Sequence, residues 1–228
     1  MNDFFPMTPL ELRPHREVIP AGTEVWRVHK SKYPADQFNP NLADLHDHLS
    51  GSRFDGTALD PYHSLYLAAD PTTALAESVL RSRPYDPRTG TRLIPWITVR
   101  GRSLTALRTR CALRLVTLVE EQDLAAVCQD STLLEDERNY PRSRRWASEI
   151  RAQTPDIVGL VWQSRRNRPR RALVLFHDRV GDCAGCGGTP LEAVPGSGMP
   201  DLGSDAGIDW ANALLAPLRA EISRPVGA

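Results

Sequence analysis

The sequence predicts an α+β fold, a single mixed domain followed by a C-terminal tail. Stretches with strand and helix character interleave without the regular strand–helix alternation of a doubly wound sheet. No glycine-rich loop follows the first strand, which disfavours Rossmann and P-loop arrangements. A chain of 228 residues, 41% hydrophobic and 25% charged, is long enough for one hydrophobic core without metal or disulfide support.

Residues 1–21 are proline-containing and show little periodicity, so an extended lead-in is expected there. After the Ala21-Gly22 turn, Glu24-Val25-Trp26-Arg27-Val28-His29 alternates as a strand does. Residues 31–61 are polar and rich in Asp, Asn, Pro and His, a long irregular segment of the kind that often carries function. Ser64-Leu65-Tyr66-Leu67-Ala68-Ala69 is a second strand, running into Asp70-Pro71, an N-cap followed by proline in the first helical turn. That helix is expected to reach about residue 83. Further strands are expected near 93–100, 113–119, 157–163 and 172–177, and further helices near 120–129 and 143–153. Glycine, proline and serine dominate from 181 to about 205, and a short amphipathic helix follows with Trp210, Leu214, Leu215 and Leu218 on one face, its length limited by Pro217. The expected organisation is therefore a lead-in over 1–21, a catalytic domain over 22–180 and a loosely docked tail over 181–228.

Four cysteines are too few for a disulfide scaffold at this size. Cys183-Ala184-Gly185-Cys186 has the spacing of half a zinc site or a redox pair, but no second close pair completes it, so 181–188 reads as an exposed glycine-rich turn. Cys111 and Cys128 lie in apolar segments and are expected as core thiols. His46 and His48, with Asp44 and Asp47, read as a solvated polar loop, and no metal is expected. Residues 1–6 lack a basic stretch leading into a long apolar one, and runs such as Leu173-Val174-Leu175-Phe176 are far short of a membrane span. A cytoplasmic location without membrane contact is expected.

The 28 basic and 28 acidic side chains cancel. A zero sum argues against a surface that is wholly a nucleic-acid or membrane binder. It conceals a pattern, however: residues 1–137 carry 15 basic and 19 acidic groups, residues 138–180 carry 11 and 3, and residues 181–228 carry 2 and 6. Only Lys30 and Lys32 are lysines, so nearly every cation is a guanidinium fork suited to phosphate or carboxylate. Motifs of zinc proteases, serine hydrolases and P-loop enzymes are absent from the sequence. What stands out is Tyr66 on a strand, followed eleven residues later by Glu77 on a helix. Helical spacing puts Ala74, Glu77 and Arg81 near one face and Leu75 and Val79 on another, so Glu77 lies off the stripe that buries the helix.

From about residue 22 to residue 176 the chain resembles the RES-domain family, named for its arginine, glutamate and serine. The resemblance is carried by Val25-Trp26-Arg27-Val28, Phe38-Asn39-Pro40, Gly51-Ser52-Arg53-Phe54-Asp55, Ser64-Leu65-Tyr66-Leu67-Ala68, Ala74-Leu75-Ala76-Glu77 and Gly159-Leu160-Val161-Trp162-Gln163-Ser164, in that order and spacing. Ser52 stands where a glycine is common and Phe54 where a tryptophan is common. The resemblance implies a fold like that of ADP-ribosyltransferases and an NAD-consuming bacterial toxin, with a small helical antitoxin as partner. It implies catalytic roles for Glu77, Arg53 and Tyr66, and NAD-binding roles for Arg27, Arg53, Tyr66 and Ser164.

The chemistry fits those residue types. Breaking the nicotinamide–ribose bond leaves an oxocarbenium-like ribose that a carboxylate such as Glu77 stabilises. Arg27 and Arg53 are candidates to neutralise the pyrophosphate. Tyr66 offers a ring or hydroxyl to position the nicotinamide or ribose, and Ser164 a hydroxyl for the ribose or carboxamide. Ser164 is not expected as a nucleophile, since no base is placed for it. Transfer to inorganic phosphate or water makes the chain an NAD phosphorylase or glycohydrolase, and transfer to a side chain makes it a protein ADP-ribosyltransferase. NAD is then consumed as substrate, with no recycled cofactor. The reading from another class is a non-catalytic binding module that uses the basic band 138–180. Within that band, Arg165-Arg166-Asn167-Arg168-Pro169-Arg170-Arg171 reads as a solvated hairpin loop or an anion-attracting cluster.

Overall fold

Strand structure begins inside the expected lead-in, where Arg16–Ile19 forms β1. The computed structural model describes residues 10–181 and 189–225. Along the chain follow β2 (Glu24–Lys30), β3 (Ser64–Ala68), α1 (Pro71–Val79), β4 (Arg92–Ile94), a 3-10 turn (Trp96–Thr98), β5 (Arg102–Thr109) and β6 (Leu113–Leu118). Then come α2 (Glu121–Ala126), α3 (Thr132–Glu135), α4 (Tyr140–Gln153), β7 (Gly159–Gln163), β8 (Arg171–Phe176) and α5 (His177–Val180). The C-terminal segment contributes β9 (Leu191–Ala193), α6 (Asp205–Leu215), a second 3-10 turn (Ala216–Leu218) and β10 (Ala220–Ile222).

This is a mixed α+β domain. Among the described residues, eight strands form one sheet in the order β1-β6-β7-β8-β3-β2-β5-β9, and β10 pairs with β4 separately. Only the β6–β7 pair of the large sheet is parallel among the described residues, joined by the crossover through α2, α3 and α4. The apolar run Leu173-Val174-Leu175-Phe176 lies near the middle of this sheet and is buried on both faces, which is why it does not alternate. On one face Leu160, Trp162, Val174 and Phe176 pack with Phe54 and with Ala147 and Ile150 of α4. The other face buries Leu65, Leu67, Leu115, Leu173 and Leu175. A third cluster joins α1 and α6 through Leu75, Val79, Ile208 and Leu215.

Strands β2 and β3 share a single paired position, Trp26 with Ala68, so the sheet loosens between its two halves. Asn39 takes over part of the freed β3 edge, its N–H donating to the Ser64 carbonyl at 2.8 Å. The chain leaves β3 beside this loosened junction and enters α1, which carries Glu77.

Several elements differ from expectation. The strand foreseen at 93–100 is confined to Arg92–Ile94, because Pro95 opens a 3-10 turn and Trp96 donates its indole N–H to the Gly203 carbonyl at 2.7 Å. Strand β5 was hidden by its polar residues, two of which, Ser103 and Thr109, are buried. Helix α1 ends at Val79, shortly before Ser82 enters the left-handed region with φ 55°. Helix α4 starts three residues early, at Tyr140, because Asn139 caps it by accepting the Arg142 N–H. Residues 189–225, expected to dock loosely, are built into the fold: β9 extends the large sheet, β10 pairs with β4, and α6 packs through Gly207, Ile208, Ala211 and Leu215. Of the apolar face expected there, Leu215 is fully buried while Trp210, Leu214 and Leu218 sit at its margin.

The cysteines also depart from expectation. Cys111 is buried and disulfide-bonded, and Cys128 is exposed just past the end of α2 at φ 56°. The Cys183–Cys186 pair lies outside the described residues. Asp44 and Asp47 accept the backbone N–H groups of His46 and Leu49, forming turns. Among the described residues no helix is long and apolar enough to cross a membrane.

Candidate active site

Helix α1 is the spine of the site. Its cap, Asp70, accepts the Thr73 N–H at 2.9 Å and the Thr73 hydroxyl at 2.6 Å. The loop after β7 is fastened along this helix at three places. Asn167 donates its amide to the Thr73 hydroxyl at 2.8 Å, Ser164 donates its hydroxyl to Glu77 Oε1 at 2.5 Å, and Arg166 donates to the Leu80 carbonyl at 2.9 Å. Positions 73, 77 and 80 share one helix face by their spacing. Ser164 is fully buried, and its Oγ also accepts the N–H groups of Arg166 and Asn167, at 3.2 and 3.1 Å. A carboxylate on a helix is thereby held in one position by a hydroxyl that is itself locked.

Arg53 reaches the same place from the long irregular segment. Its turn is closed by Asp55, whose carboxylate accepts the Ser52 N–H and the Ser64 hydroxyl, each at 2.7 Å. Gly51 is required here: its φ is +67°, and an added Cβ would lie 2.6 Å from Asp55 Oδ2. Tyr66 on β3 accepts the Phe54 N–H through its hydroxyl at 2.8 Å, tying the turn to the sheet. Phe54 is buried and packs edge-on against Trp162 at 5.1 Å, filling the position with a ring. Arg53 donates to the Leu133 carbonyl at 2.7 Å and lies over the Tyr140 ring at 5.0 Å. Burial pushes its guanidinium below the ordinary pKa, and the nearby Tyr140, Glu77 and Tyr66 oppose that shift while Arg165 adds to it. Burial raises the Tyr66 phenol well above its ordinary value, so it remains a neutral hydroxyl.

Arg53, Tyr66 and Glu77 are each partly exposed, with Ser164 buried behind the carboxylate. Arg27 is placed differently. It pairs in register with Thr105, on the sheet face shared by Val25 and Leu107, whereas Trp26 and Val28 face α1. Its guanidinium donates to the carbonyls of Ala35 and Gln37, at 2.6 and 2.7 Å, pinning the loop after β2. Burial lowers its pKa to about 10 against the opposing pull of Asp36, so it remains charged at neutral pH.

Two residues of the site's framework escaped sequence reasoning. Arg144 is fully buried and donates to the carbonyls of Ser52 (3.1 Å), Asp44 (2.5 Å), Asp47 (2.8 Å) and Ser50. It therefore shapes the loop that presents Arg53. Tyr140 is the ring over which Arg53, Arg81 and Arg144 gather, at 5.0, 4.5 and 6.0 Å. The basic surplus of 138–180 was the available signal, but a charge run gives no indication of which arginines turn inward. Much of that band is paired within the fold: Arg151 with Asp60 and Asp178, Arg165 and Arg166 with Glu137, Arg168 with Glu135, and Arg171 with Glu17. The 164–171 loop is accordingly fastened to α1 and to acidic neighbours, not a freely solvated hairpin.

Comparison with protein families then decides the assignment, since the model of the RES domain matches residues 24–189. The chain belongs to the RES-domain family. The RES match spans β2 to the start of the C-terminal segment and includes Arg27, Arg53, Tyr66, Glu77 and Ser164. Among solved structures, the RES chain is similar to a chain in the crystal structure of the M. tuberculosis MbcT–MbcA toxin–antitoxin complex. The TM-score is 0.52 and the identity 14%, covering 89% of this chain and 91% of that one, which is a likeness of fold. No curated protein matches the sequence.

Proposed function

We propose that this RES-domain protein degrades NAD by cleaving its nicotinamide–ribose bond, and that it serves as the toxin of a toxin–antitoxin pair. The observation that carries the reading is the Glu77 carboxylate, held by the buried Ser164 hydroxyl at 2.5 Å with the Arg53 guanidinium among its electrostatic neighbours. Family membership and the toxin–antitoxin assignment of the structural neighbour support it.

In this reading both electrons of the C1′–N bond leave with nicotinamide, which departs neutral, and positive charge develops on the ribose. Glu77 faces that charge and holds the ribose hydroxyls, while Arg53 offers paired N–H donors to the pyrophosphate. The Tyr66 ring, fixed by its bond to the Phe54 N–H and by Trp162, forms the floor for the nicotinamide ribose. Ser164 acts on Glu77 rather than on the substrate. Water or inorganic phosphate completes the reaction at C1′, water losing a proton as it adds. The fold gives no reason to prefer a protein side chain as acceptor. A non-catalytic module built on the basic band as a whole is disfavoured, because Arg151, Arg168 and Arg171 are paired within the fold. An antitoxin protein is the proposed partner, by analogy with the toxin–antitoxin complex of the structural neighbour.

Incubating the purified protein with NAD, with and without phosphate, and resolving the products tests this directly. Nicotinamide is expected in both cases, with ADP-ribose in water and a phosphorylated ADP-ribose when phosphate is the acceptor. Glu77→Gln is expected to lower turnover by about 10²–10³-fold. A folded protein that leaves NAD intact under both conditions overturns the proposal.

A further inference from the structure

Beyond the end of α1 lies a cleft of about 770 Å³ to which the mechanism above assigns no task. Arg83, Arg92, Arg165, Arg166 and Arg219 line it, against one carboxylate among the described residues, Glu137. Glu137 is already paired with Arg165 and Arg166. Arg83, Arg92 and Arg219 have no carboxylate partner among the described residues. Their guanidinium groups donate to the Thr98 hydroxyl, the Leu218 carbonyl and the Thr89 carbonyl. The Nε of Arg92 is buried without a hydrogen-bond partner. Guanidinium groups collected with too little counter-charge repel one another, and a buried donor left unpaired adds to the penalty. An anionic ligand supplies the missing counter-charge.

The rest of the lining indicates which anion. Tyr85 is 54% exposed, with Arg92 over its ring at 4.8 Å, and Pro217 and Leu218 add an apolar surface. A nucleobase stacks on such a surface, and guanidinium forks bind phosphate oxygens in pairs. The cleft also borders the candidate site, because Arg165, which lines it, lies within electrostatic range of Arg53. Ser82 and Arg83 line it a few residues beyond the end of α1, the helix that carries Glu77, and Arg165 and Arg166 directly follow Ser164.

We infer that this cleft binds a nucleoside diphosphate, the adenosine diphosphate half of the dinucleotide whose nicotinamide ribose lies at Glu77. The phosphate nearer the adenosine lies among Arg83, Arg165, Arg166 and Arg219, its neighbour is left to Arg53, and the base stacks at Tyr85. The identification of this ligand as part of NAD rests on the proposed function. Arg219 and the Pro217–Leu218 surface come from beyond the RES match at 24–189, so this chain's own C-terminal segment completes the nucleotide site.

Calorimetric titration of the intact protein with ADP, AMP and inorganic phosphate tests the cleft without requiring turnover. ADP is expected to bind more tightly than either AMP or phosphate. Arg219→Ala and Arg83→Ala should each weaken ADP by about tenfold, and Arg219→Lys, which keeps the charge but not the fork, should fall between. Circular dichroism checks the fold of each variant, and Arg219→Lys carries the test if Arg219→Ala fails to fold. Absence of ADP binding by the folded wild type overturns the assignment, as does binding that folded Arg219 and Arg83 variants leave unchanged. Phosphate binding as tightly as ADP overturns the nucleotide part of it. If ADP binds as expected while NAD remains intact, the NAD-cleavage reading fails and the nucleotide site stands.

Discussion

The Ser164 hydroxyl accepts two backbone N–H groups and donates its proton to Glu77, which fills its one-donor, two-acceptor capacity. It has no bonding capacity left for a substrate, and its effect on catalysis passes through the orientation of Glu77. Ser164→Ala is therefore expected to lower kcat by about 10–100-fold with little change in KM, the usual scale for losing a group that orients a reacting one. Combining it with Glu77→Gln should add almost nothing, because the two act as a unit; steady-state kinetics of the three variants checks both statements. Arg27→Gln belongs to a different account. It removes charged donors from the Ala35 and Gln37 carbonyls and is expected to cost about 1–3 kcal/mol in urea denaturation. A loss of turnover beyond the unfolded fraction would instead place Arg27 at the substrate. Tyr66 and Glu77 were legible as a spaced pair, because strand and helix periods bear on residues close in sequence. The placement of Arg27 behind the sheet was not legible, since alternation in a strand shows that two faces exist and not which one meets the site.

The irregular segment between β2 and β3 owes its shape to side chains from other elements. Four backbone carbonyls of its 44–52 portion converge on Arg144 of α4, a fully buried guanidinium. Arg144→Met leaves those carbonyls unsatisfied and is expected to destabilise the fold by about 3 kcal/mol or more, and Arg144→Lys should not restore it, because one ammonium cannot reproduce the fork. Chemical denaturation measures both. At α2 the pH dependence has a definite sign. Burial works to raise the Asp123 carboxyl, but hydrogen bonds from the Glu120 and Val119 N–H groups, His15 and Thr117 outweigh it and hold the pKa below 3.8. A carboxyl lowered by folding stabilises the native state above its unfolded value, and that contribution disappears as pH falls through the folded one. The stability gap between wild type and Asp123→Ala should therefore be widest near neutrality and narrow below pH 3.8. A gap that stays constant with pH would contradict this. Capping itself was legible at Asp70-Pro71, a local signal, whereas β5 was missed because its buried Ser103 and Thr109 find their partners only in segments distant in sequence.

On the scale of the whole molecule, the C-terminal segment is part of the domain. Helix α6 buries Ile208, Ala211 and Leu215 in the same cluster as Leu75 and Val79 of α1. Leu215→Ala is expected to cost about 2–4 kcal/mol and to lower a single unfolding transition, followed by circular dichroism and tryptophan fluorescence together; separate transitions would show that the segment melts independently. The same packing brings Arg219 beside Arg83, Arg92 and Arg166 around one cleft. The amino-acid sequence by itself determined the α+β character, most strands and helices, the spacing of Tyr66 and Glu77 and the order of the RES segments. These depend on backbone preferences and periods that act over a few residues. Only the tertiary structure decided the strand order, the face on which Arg27 lies, the burial of Arg144 and the bond between Ser164 and Glu77, residues 87 positions apart. Such pairings are set by packing and by the need to satisfy every buried polar group across the whole molecule, which no short stretch of sequence encodes.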